Sequence, residues 1–95
     1  MKTIKKVPVI PEFFPGSIPE KPSMKQGVIY ISEEFHTAIH LCLCGCGNEV
    51  VTPLAENEWI LTRNGEKITL SPSIGNYQFP CKSHYIITNN VANFV

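Results

Sequence analysis

The sequence predicts a small all-β domain of antiparallel strands, with two hairpins, stapled by a metal site and preceded by a proline-rich extended arm. Three observations support this prediction. Asn64-Gly65 separates two runs of β-forming residues and supplies the positive φ angles of a type I′ turn. No segment of useful length has the apolar period of an α-helix. Three of the four cysteines lie between positions 42 and 46, a density typical of metal binding.

Composition limits the classes of partner. The chain has 95 residues, enough for one domain with a modest core. Eight basic residues balance eight acidic ones, so no net charge attracts nucleic acid or a membrane surface. No apolar run approaches the roughly 20 residues of a membrane span, and prolines interrupt the N-terminal stretch where a signal peptide needs an apolar run. We therefore expect a cytoplasmic protein, in which clustered cysteines bind metal more often than they form disulfides.

Residues 1–26 are expected to form the arm, and residues 27–95 the metal-binding domain. The arm contains five of the eight prolines, each of which fixes φ and lacks a backbone donor. Its apolar residues are too many for a free linker, so we expect it to lie extended along the domain or against a partner.

Short β-rich runs begin at Gly27. Val28–Ile31 reads as a strand, Thr37–Leu43 as a second, and Val50-Val51 as part of another. Because strand side chains alternate, Ala38, His40, Cys42 and Cys44 should face one way. Gly45 and Gly47 then break regular structure and allow a tight turn that gathers the cysteine sulfurs.

Two hairpins are predicted further along the chain. The first joins Trp59–Arg63 to Glu66–Leu70 through Asn64-Gly65, and the second joins His84–Thr88 to Val91–Val95 through Asn89-Asn90. The segment Ser71–Pro80 between them is expected to be a turn-rich loop.

A tetrahedral metal needs four ligands. The predicted set combines two pairs that are distant in sequence: Cys44 with Cys46, and Cys81 with His84. Cys42 and His40 remain as alternate ligands or buried neighbours. Since Cys-x-Cys is tighter than the usual knuckle spacing, the choice between Cys42 and Cys44 stays open.

Zinc is the preferred ion, because thiolate-rich sites suit zinc or iron and the chain has no other redox signature. The alternative is a [2Fe-2S] cluster, since Cys-x-Cys with a later Pro-Cys and histidine faintly resembles the NEET iron-sulfur proteins, although the spacing differs.

Catalytic alternatives are open but are not favoured, and no catalytic residue is assigned. An open zinc site would need a neighbouring acid or base, and a cysteine nucleophile would need an imidazole partner. The candidate residues for these roles are Glu33, Glu34, Glu49, Cys42, Cys81, His36, His40 and His84.

The motifs from residue 27 to the C-terminus closely resemble those of a family of small bacterial Cys/His-rich proteins. The resemblance is carried by three stretches of the sequence: His40-Leu41-Cys42-x-Cys44-Gly45-Cys46-Gly47, Ser71-Pro72-Ser73-Ile74-Gly75-Asn76, and Pro80-Cys81-x-Ser83-His84. Members often lie in operons beside an E1-like adenylyltransferase, an E2-like protein and multi-ubiquitin-like proteins. The resemblance thus implies a role in a prokaryotic ubiquitin-like conjugation system.

Two functions follow as hypotheses. In the first, the protein is a zinc-binding, noncatalytic accessory or adaptor that binds E1-like, E2-like or ubiquitin-like proteins through the Ser71–Phe79 loop and the apolar arm, with the ion supplying folding energy. In the second, the site is reactive, as a [2Fe-2S] redox centre or as a cysteine or zinc enzyme of ubiquitin-like transfer.

Overall fold

The computed structural model describes residues 5–95, in which nine β-strands form two sheets and no α-helix occurs. The predicted all-β class is confirmed. The strands are β1 (Lys6–Pro8), β2 (Ile10–Phe14), β3 (Val28–Ser32), β4 (Thr37–Leu41), β5 (Glu49–Pro53), β6 (Ile60–Asn64), β7 (Lys67–Gly75), β8 (His84–Thr88) and β9 (Val91–Phe94), and a short 3-10 helix spans Lys21–Ser23.

The two sheets differ in strand number and in direction of pairing. The larger sheet has the order β1-β9-β8-β7-β6 and is antiparallel throughout. The smaller sheet has the order β2-β3-β4-β5, and its first pair, β2 with β3, is parallel. The parallel pair arises because β2 belongs to the N-terminal arm and reaches β3 through the long connection that contains the 3-10 helix.

Both predicted hairpins are present. Asn64 pairs with Lys67, so the two turn residues are Gly65 and Glu66. Of these, Gly65 alone has a positive φ, of 65°, which corresponds to a type II′ turn and not to the predicted type I′ turn with Asn64-Gly65 at its centre. Thr88 pairs with Val91 around Asn89 and Asn90, which both have positive φ. Asparagine tolerates this left-handed region better than other residues with a side chain.

The loop predicted from Ser71 to Pro80 is wrong in its first half, because β7 continues to Gly75. The register of β7 with β8 shifts between Leu70, which pairs with Ile87, and Ile74, which pairs with Tyr85. The extra residues of β7 form a bulge in this interval. Turn-forming residues in the sequence therefore mark an irregular strand here.

The inner faces of both sheets meet in one hydrophobic core. The smaller sheet contributes Ile29, Ile31 and Ala38. The larger sheet contributes Ile68, Leu70, Ile74, Tyr85, Ile87 and Ala92. Buried and more exposed residues alternate along β8, as its half-buried position requires.

The predicted arm is extended and packs on the domain where it is described; its residues 1–4 lie outside the described part of the chain. β1 joins the larger sheet and β2 the smaller, and Val9 between them is buried in the core. Met24, Ile18 and Phe14 pack against Tyr30 and Val28, on the opposite side of β3 from the core. The boundary between residues 26 and 27 stays a prediction.

Within residues 5–95 no helix is long and apolar enough to cross a membrane.

Two adjacent isoleucines in β8 test which face of the larger sheet packs in the core. Ile87 is fully buried, whereas Ile86 is 37% exposed on the opposite face. We expect Ile87→Ala to lower the free energy of unfolding by about 2–5 kcal/mol, because it removes core methyl groups and leaves a cavity. Ile86→Ala should cost less than about 1 kcal/mol. Denaturant unfolding of both variants measures this difference, and equal losses would contradict the assigned faces.

Candidate functional site

The four cysteines converge on one point. The sulfur of Cys42 lies 3.4 Å from that of Cys44 and 3.8 Å from that of Cys81, and the Cys46 and Cys81 sulfurs are 3.7 Å apart. All four sulfurs lie within 4.8 Å of one another. A tetrahedral zinc with bonds of about 2.3 Å separates its sulfur ligands by about 3.8 Å. The geometry is compatible with a metal ion bound by four thiolates.

Local backbone structure places three of these sulfurs. β4 ends at Leu41, and the Cys42 N–H then donates to the Asn48 carbonyl at 2.7 Å, which closes the turn into β5. Gly45 and Gly47 have φ values of 93° and 85°, which a residue with a side chain rarely adopts. The turn therefore depends on glycine at these positions.

The fourth sulfur comes from the loop that leads into β8. The Lys82 N–H donates to the Phe79 carbonyl at 3.0 Å, and Lys82 has a φ of 45°. This turn directs Cys81 towards the cysteine run of the smaller sheet. The cysteine cluster therefore joins the two sheets at one end.

The thiols of the cluster differ in acidity. Hydrogen bonds from the side chain and then the backbone of Ser83 lower the pKa of Cys81 to about 6. The backbone N–H of Asn48 is the main cause of a lowered pKa at Cys46. Burial raises the pKa of Cys44 to about 12, and hydrogen bonds with neighbouring cysteines act in the same direction. Because metal ligands must be deprotonated, Cys81 and Cys46 are the thiols most prepared to bind one.

His40, an alternate ligand in the sequence prediction, lies in the core beside Tyr85. Its Nε2 is 2.7 Å from the Tyr85 hydroxyl, and its Nδ1 is buried without a hydrogen-bond partner among residues 5–95. Burial lowers the pKa of His40 to about 4, so the ring is neutral at physiological pH. Ala38 and His40 are buried, as strand alternation predicts. β4 ends at Leu41, two residues earlier than predicted, so Cys42 and Cys44 lie in the turn beyond it.

His84, a ligand in the predicted set, has a different neighbour. Its Nε2 lies 2.7 Å from the Ser73 hydroxyl oxygen. The cluster of four thiols includes Cys42 and not His84, and the ligand set predicted from the sequence stays a prediction. The structure brings Cys44, Cys46 and Cys81 together as the sequence suggested and adds Cys42 to them.

Ser73 and His84 lie on the same outer face of the larger sheet. The Gly75 and His84 positions are directly opposed at the start of β8. Ser73 lies two residues before Gly75, and the intervening Ile74 is buried in the core. By strand alternation, the Ser73 side chain therefore shares the face of His84 and lies diagonally from it. The half-buried His84 ring also contacts the ring of Tyr77, with centroids 5.7 Å apart.

Asn76 connects the cysteine cluster with the serine and histidine pair. The Asn76 N–H donates to the Ser83 carbonyl at 2.8 Å. Its side-chain amide, which is fully buried, donates to the Ser83 hydroxyl at 3.0 Å and lies 3.7 Å from the Cys42 sulfur. We call the hydrogen bonds between Asn76 and Ser83 the Asn76 clasp. Asn76 follows Gly75 and Ser83 precedes His84, so the clasp fixes the backbone next to Gly75 and next to His84.

Sequence reasoning did not identify Ser73 as a functional partner of His84. The sequence analysis placed Ser73 on a partner-binding loop and assigned His84 to the metal. The available signal was a serine in a proline- and glycine-interrupted stretch between two strands. Only the register of β7 with β8 shows which histidine this serine faces.

Comparison with known proteins identifies a family. The model of the family described as "Bacterial ubiquitination-like system serine protease (BubE)" matches residues 14–95. No curated protein and no solved structure matches the chain. The match covers β3 to β9, all four cysteines, and the Ser73 and His84 pair. Because it extends over most of the sequence, the chain belongs to the BubE family of bacterial ubiquitination-like systems.

Proposed function

We propose that this protein is a serine protease of a bacterial ubiquitination-like system, with Ser73 as the nucleophile and His84 as the general base. The observation that carries the proposal is the 2.7 Å distance between Ser73 Oγ and His84 Nε2. A nucleophile within hydrogen-bond distance of an imidazole is the arrangement that activates a serine hydroxyl. The family description, which names a serine protease, supports the same chemistry.

The reaction follows from this geometry. His84 Nε2 accepts the hydroxyl proton as Ser73 Oγ attacks the carbonyl carbon of the scissile bond. The same nitrogen then donates the proton to the leaving amine, and an acyl ester remains on Ser73. A water molecule, deprotonated by His84, hydrolyses this ester and restores the enzyme. For Nε2 to act first as an acceptor, the neutral ring must carry its proton on Nδ1.

The pair is a dyad in the described part of the chain, where no carboxylate forms a hydrogen bond with the His84 ring. Orientation of the imidazole comes instead from packing and from backbone position. Tyr77 lies against the ring, and the Asn76 clasp to Ser83 holds the residues before it. These contacts limit rotation of His84 and keep Nε2 directed at Ser73.

The substrate we propose is a ubiquitin-like protein of the same system. Conjugation by an E1-like adenylyltransferase requires a free C-terminal carboxylate, and hydrolysis at that terminus either exposes it or releases it from a conjugate. The family's place in a bacterial ubiquitination-like system supports protein partners of this pathway. This proposal replaces the noncatalytic adaptor hypothesis, and it assigns catalysis to a serine instead of a cysteine or a zinc-bound water.

We assign a structural Zn²⁺ to Cys42, Cys44, Cys46 and Cys81. The sulfur separations fit one tetrahedral ion, whereas a [2Fe-2S] cluster would place two irons and two sulfides among the thiolates and hold them further apart. Four protein ligands close the coordination sphere, so the ion supplies folding energy and orients no water. His84 remains free for Ser73.

Substitution of the pair tests the catalytic proposal. We expect Ser73→Ala and His84→Ala each to reduce cleavage of a ubiquitin-like precursor by about 10³-fold or more, because the nucleophile and its base act as one unit. The matched control is Ser71→Ala, which changes an exposed serine two residues away. The measurement is a cleavage time course with gel or mass-spectrometric detection.

A fluorophosphonate probe adds a second readout, since it should label Ser73 in the native protein and in Ser71→Ala but not in Ser73→Ala. Cleavage that persists in Ser73→Ala, in a protein shown to be folded by circular dichroism, would refute the assignment.

Metal analysis tests the ligand set. The protein purified without added metal should contain about one zinc per chain and no visible charge-transfer absorption. Cys42→Ser should lower the zinc content and the thermal stability, because one of four ligands is lost. His84→Ala should keep the full zinc content while losing activity. Loss of zinc from His84→Ala with retention in Cys42→Ser would instead support the set predicted from the sequence.

A further inference from the structure

The outer face of the larger sheet surrounds Ser73 and His84 with exposed apolar side chains. Ile86 lies two residues after His84 on β8 and so faces the same way. The Val95 N–H donates to the His84 carbonyl at 2.9 Å, which places Val95 beside the histidine. On the other side of the pair, Ile60 of β6 is opposed to Ser71, which is two residues before Ser73.

These residues account for much of the exposed apolar surface. Seven large hydrophobic side chains are exposed in residues 5–95, and four of them lie around the Ser73 and His84 pair. We call these four the apolar rim: Ile60 (56% exposed), Tyr77 (62%), Ile86 (37%) and Val95 (64%). Exposed apolar side chains grouped in one place commonly mark a binding surface.

Tyr77 has a defined position in this rim. Its ring lies over Gly75, where an added Cβ would come within 2.6 Å of the Tyr77 Cε2 atom. The same ring contacts His84, with centroids 5.7 Å apart. A side chain at position 75 would therefore displace the tyrosine from the histidine, and glycine at this position allows an aromatic ring to lie next to the reacting atoms.

The charges of the sheet disfavour a basic ligand. The five strands of the larger sheet, β1 and β6–β9, contain no aspartate or glutamate, and their Lys and Arg residues are Lys6, Arg63 and Lys67. Consequently no carboxylate of these strands competes for the His84 imidazole or forms an ion pair with a basic substrate. The rim residues themselves offer burial of apolar side chains.

We infer that the apolar rim is the substrate-binding surface, and that it takes an extended peptide segment with apolar side chains flanking the scissile bond. Tyr77 and Ile86 are the specificity-determining residues, since they lie on the two sides of His84. This inference rests on the proposed function, because the rim is a substrate site only if Ser73 and His84 cleave peptides. It adds the substrate class, which the serine and histidine geometry does not supply.

Short fluorescence-quenched peptides that differ only in the residues flanking the cleaved bond provide the test. With the full-length protein, peptides with leucine or phenylalanine at these positions should have a kcat/KM at least about tenfold higher than peptides with aspartate. Tyr77→Ala should reduce the preference for leucine over aspartate peptides by about tenfold, because apolar contacts with the substrate are removed, whereas loss of its packing on His84 should lower kcat for both kinds of peptide alike.

A variant that changes which peptide is cleaved faster acts on substrate recognition, whereas a variant that only disturbs the fold should slow the cleavage of all peptides alike. Ile86→Lys should improve the cleavage of aspartate-containing peptides relative to leucine-containing ones by about tenfold or more, since the new ammonium group would face the substrate. Ile60→Lys provides a second such variant at a more exposed position. The control is Val51→Lys, an exposed position on the smaller sheet, which should keep the native preference.

Two negative outcomes are distinguishable. If peptide cleavage is absent or does not depend on Ser73, the proposed function fails. If cleavage depends on Ser73 but Tyr77→Ala, Ile86→Lys and Ile60→Lys all retain the native preference, the inference about the rim is overturned and the serine protease remains.

Discussion

The pairing of β7 with β8 is the constraint on which the core and both polar sites depend. On the inner face it aligns Leu70 with Ile87 and Ile74 with Tyr85, all of which are buried. The same two strands lead into the loop that carries Cys81. The bulge between the aligned pairs gives β7 an irregular course at Ser73 without interrupting the core. Beyond the bulge Gly75 opposes His84, and Ser73, two residues earlier, lies on the same outer face as the histidine. A slip of one residue in this register would turn Ser73 to the other face, away from His84.

The cysteine cluster and the proposed dyad are close in the chain but have separate chemistry. Two residues lie between Cys81 and His84, and the Asn76 clasp to Ser83 lies between the two sites. Four thiolates around one ion would fix the loop before β8, and the position of His84 depends on that loop. A metal centre can in this way support catalysis through structure alone, with no part in proton transfer.

Polar groups are buried at the junction of the sheets, where they require partners. The Tyr85 hydroxyl lies within 2.7 Å of His40 Nε2 and accepts a hydrogen bond from the Asn76 amide at 3.3 Å. Burial in this region keeps His40 neutral and raises the pKa of Tyr85 above its ordinary value. Burying such a network costs little folding free energy when its members are hydrogen-bonded to one another. The loss of one member costs much more, because its partner is left buried and unpaired. The network therefore favours a single arrangement of the loop next to Ser73 and His84.

Local sequence signals determined the hairpins and most of the strands, but not β1 and β2 in the proline-rich arm. Gly65 and the pair Asn89-Asn90 mark turns because few other residues adopt positive φ, and strand alternation placed Ala38 and His40 on one buried side. Clustered cysteines indicated a metal site because thiols at such short spacing can share one ion. These features depend on neighbours in the chain, so they are visible without the fold.

Only the tertiary structure decided which side chains meet across the sheets. His84 looked like the fourth ligand because it follows Cys81 at knuckle spacing, but its environment depends on the register of β7 with β8, which shifts at a bulge. Cys42 joins the other thiols because two sheets converge at one end. Sequence spacing specifies which residues can meet locally. Contacts between distant strands depend on packing and register, and for this protein they determine both the proposed metal ligands and the proposed nucleophile.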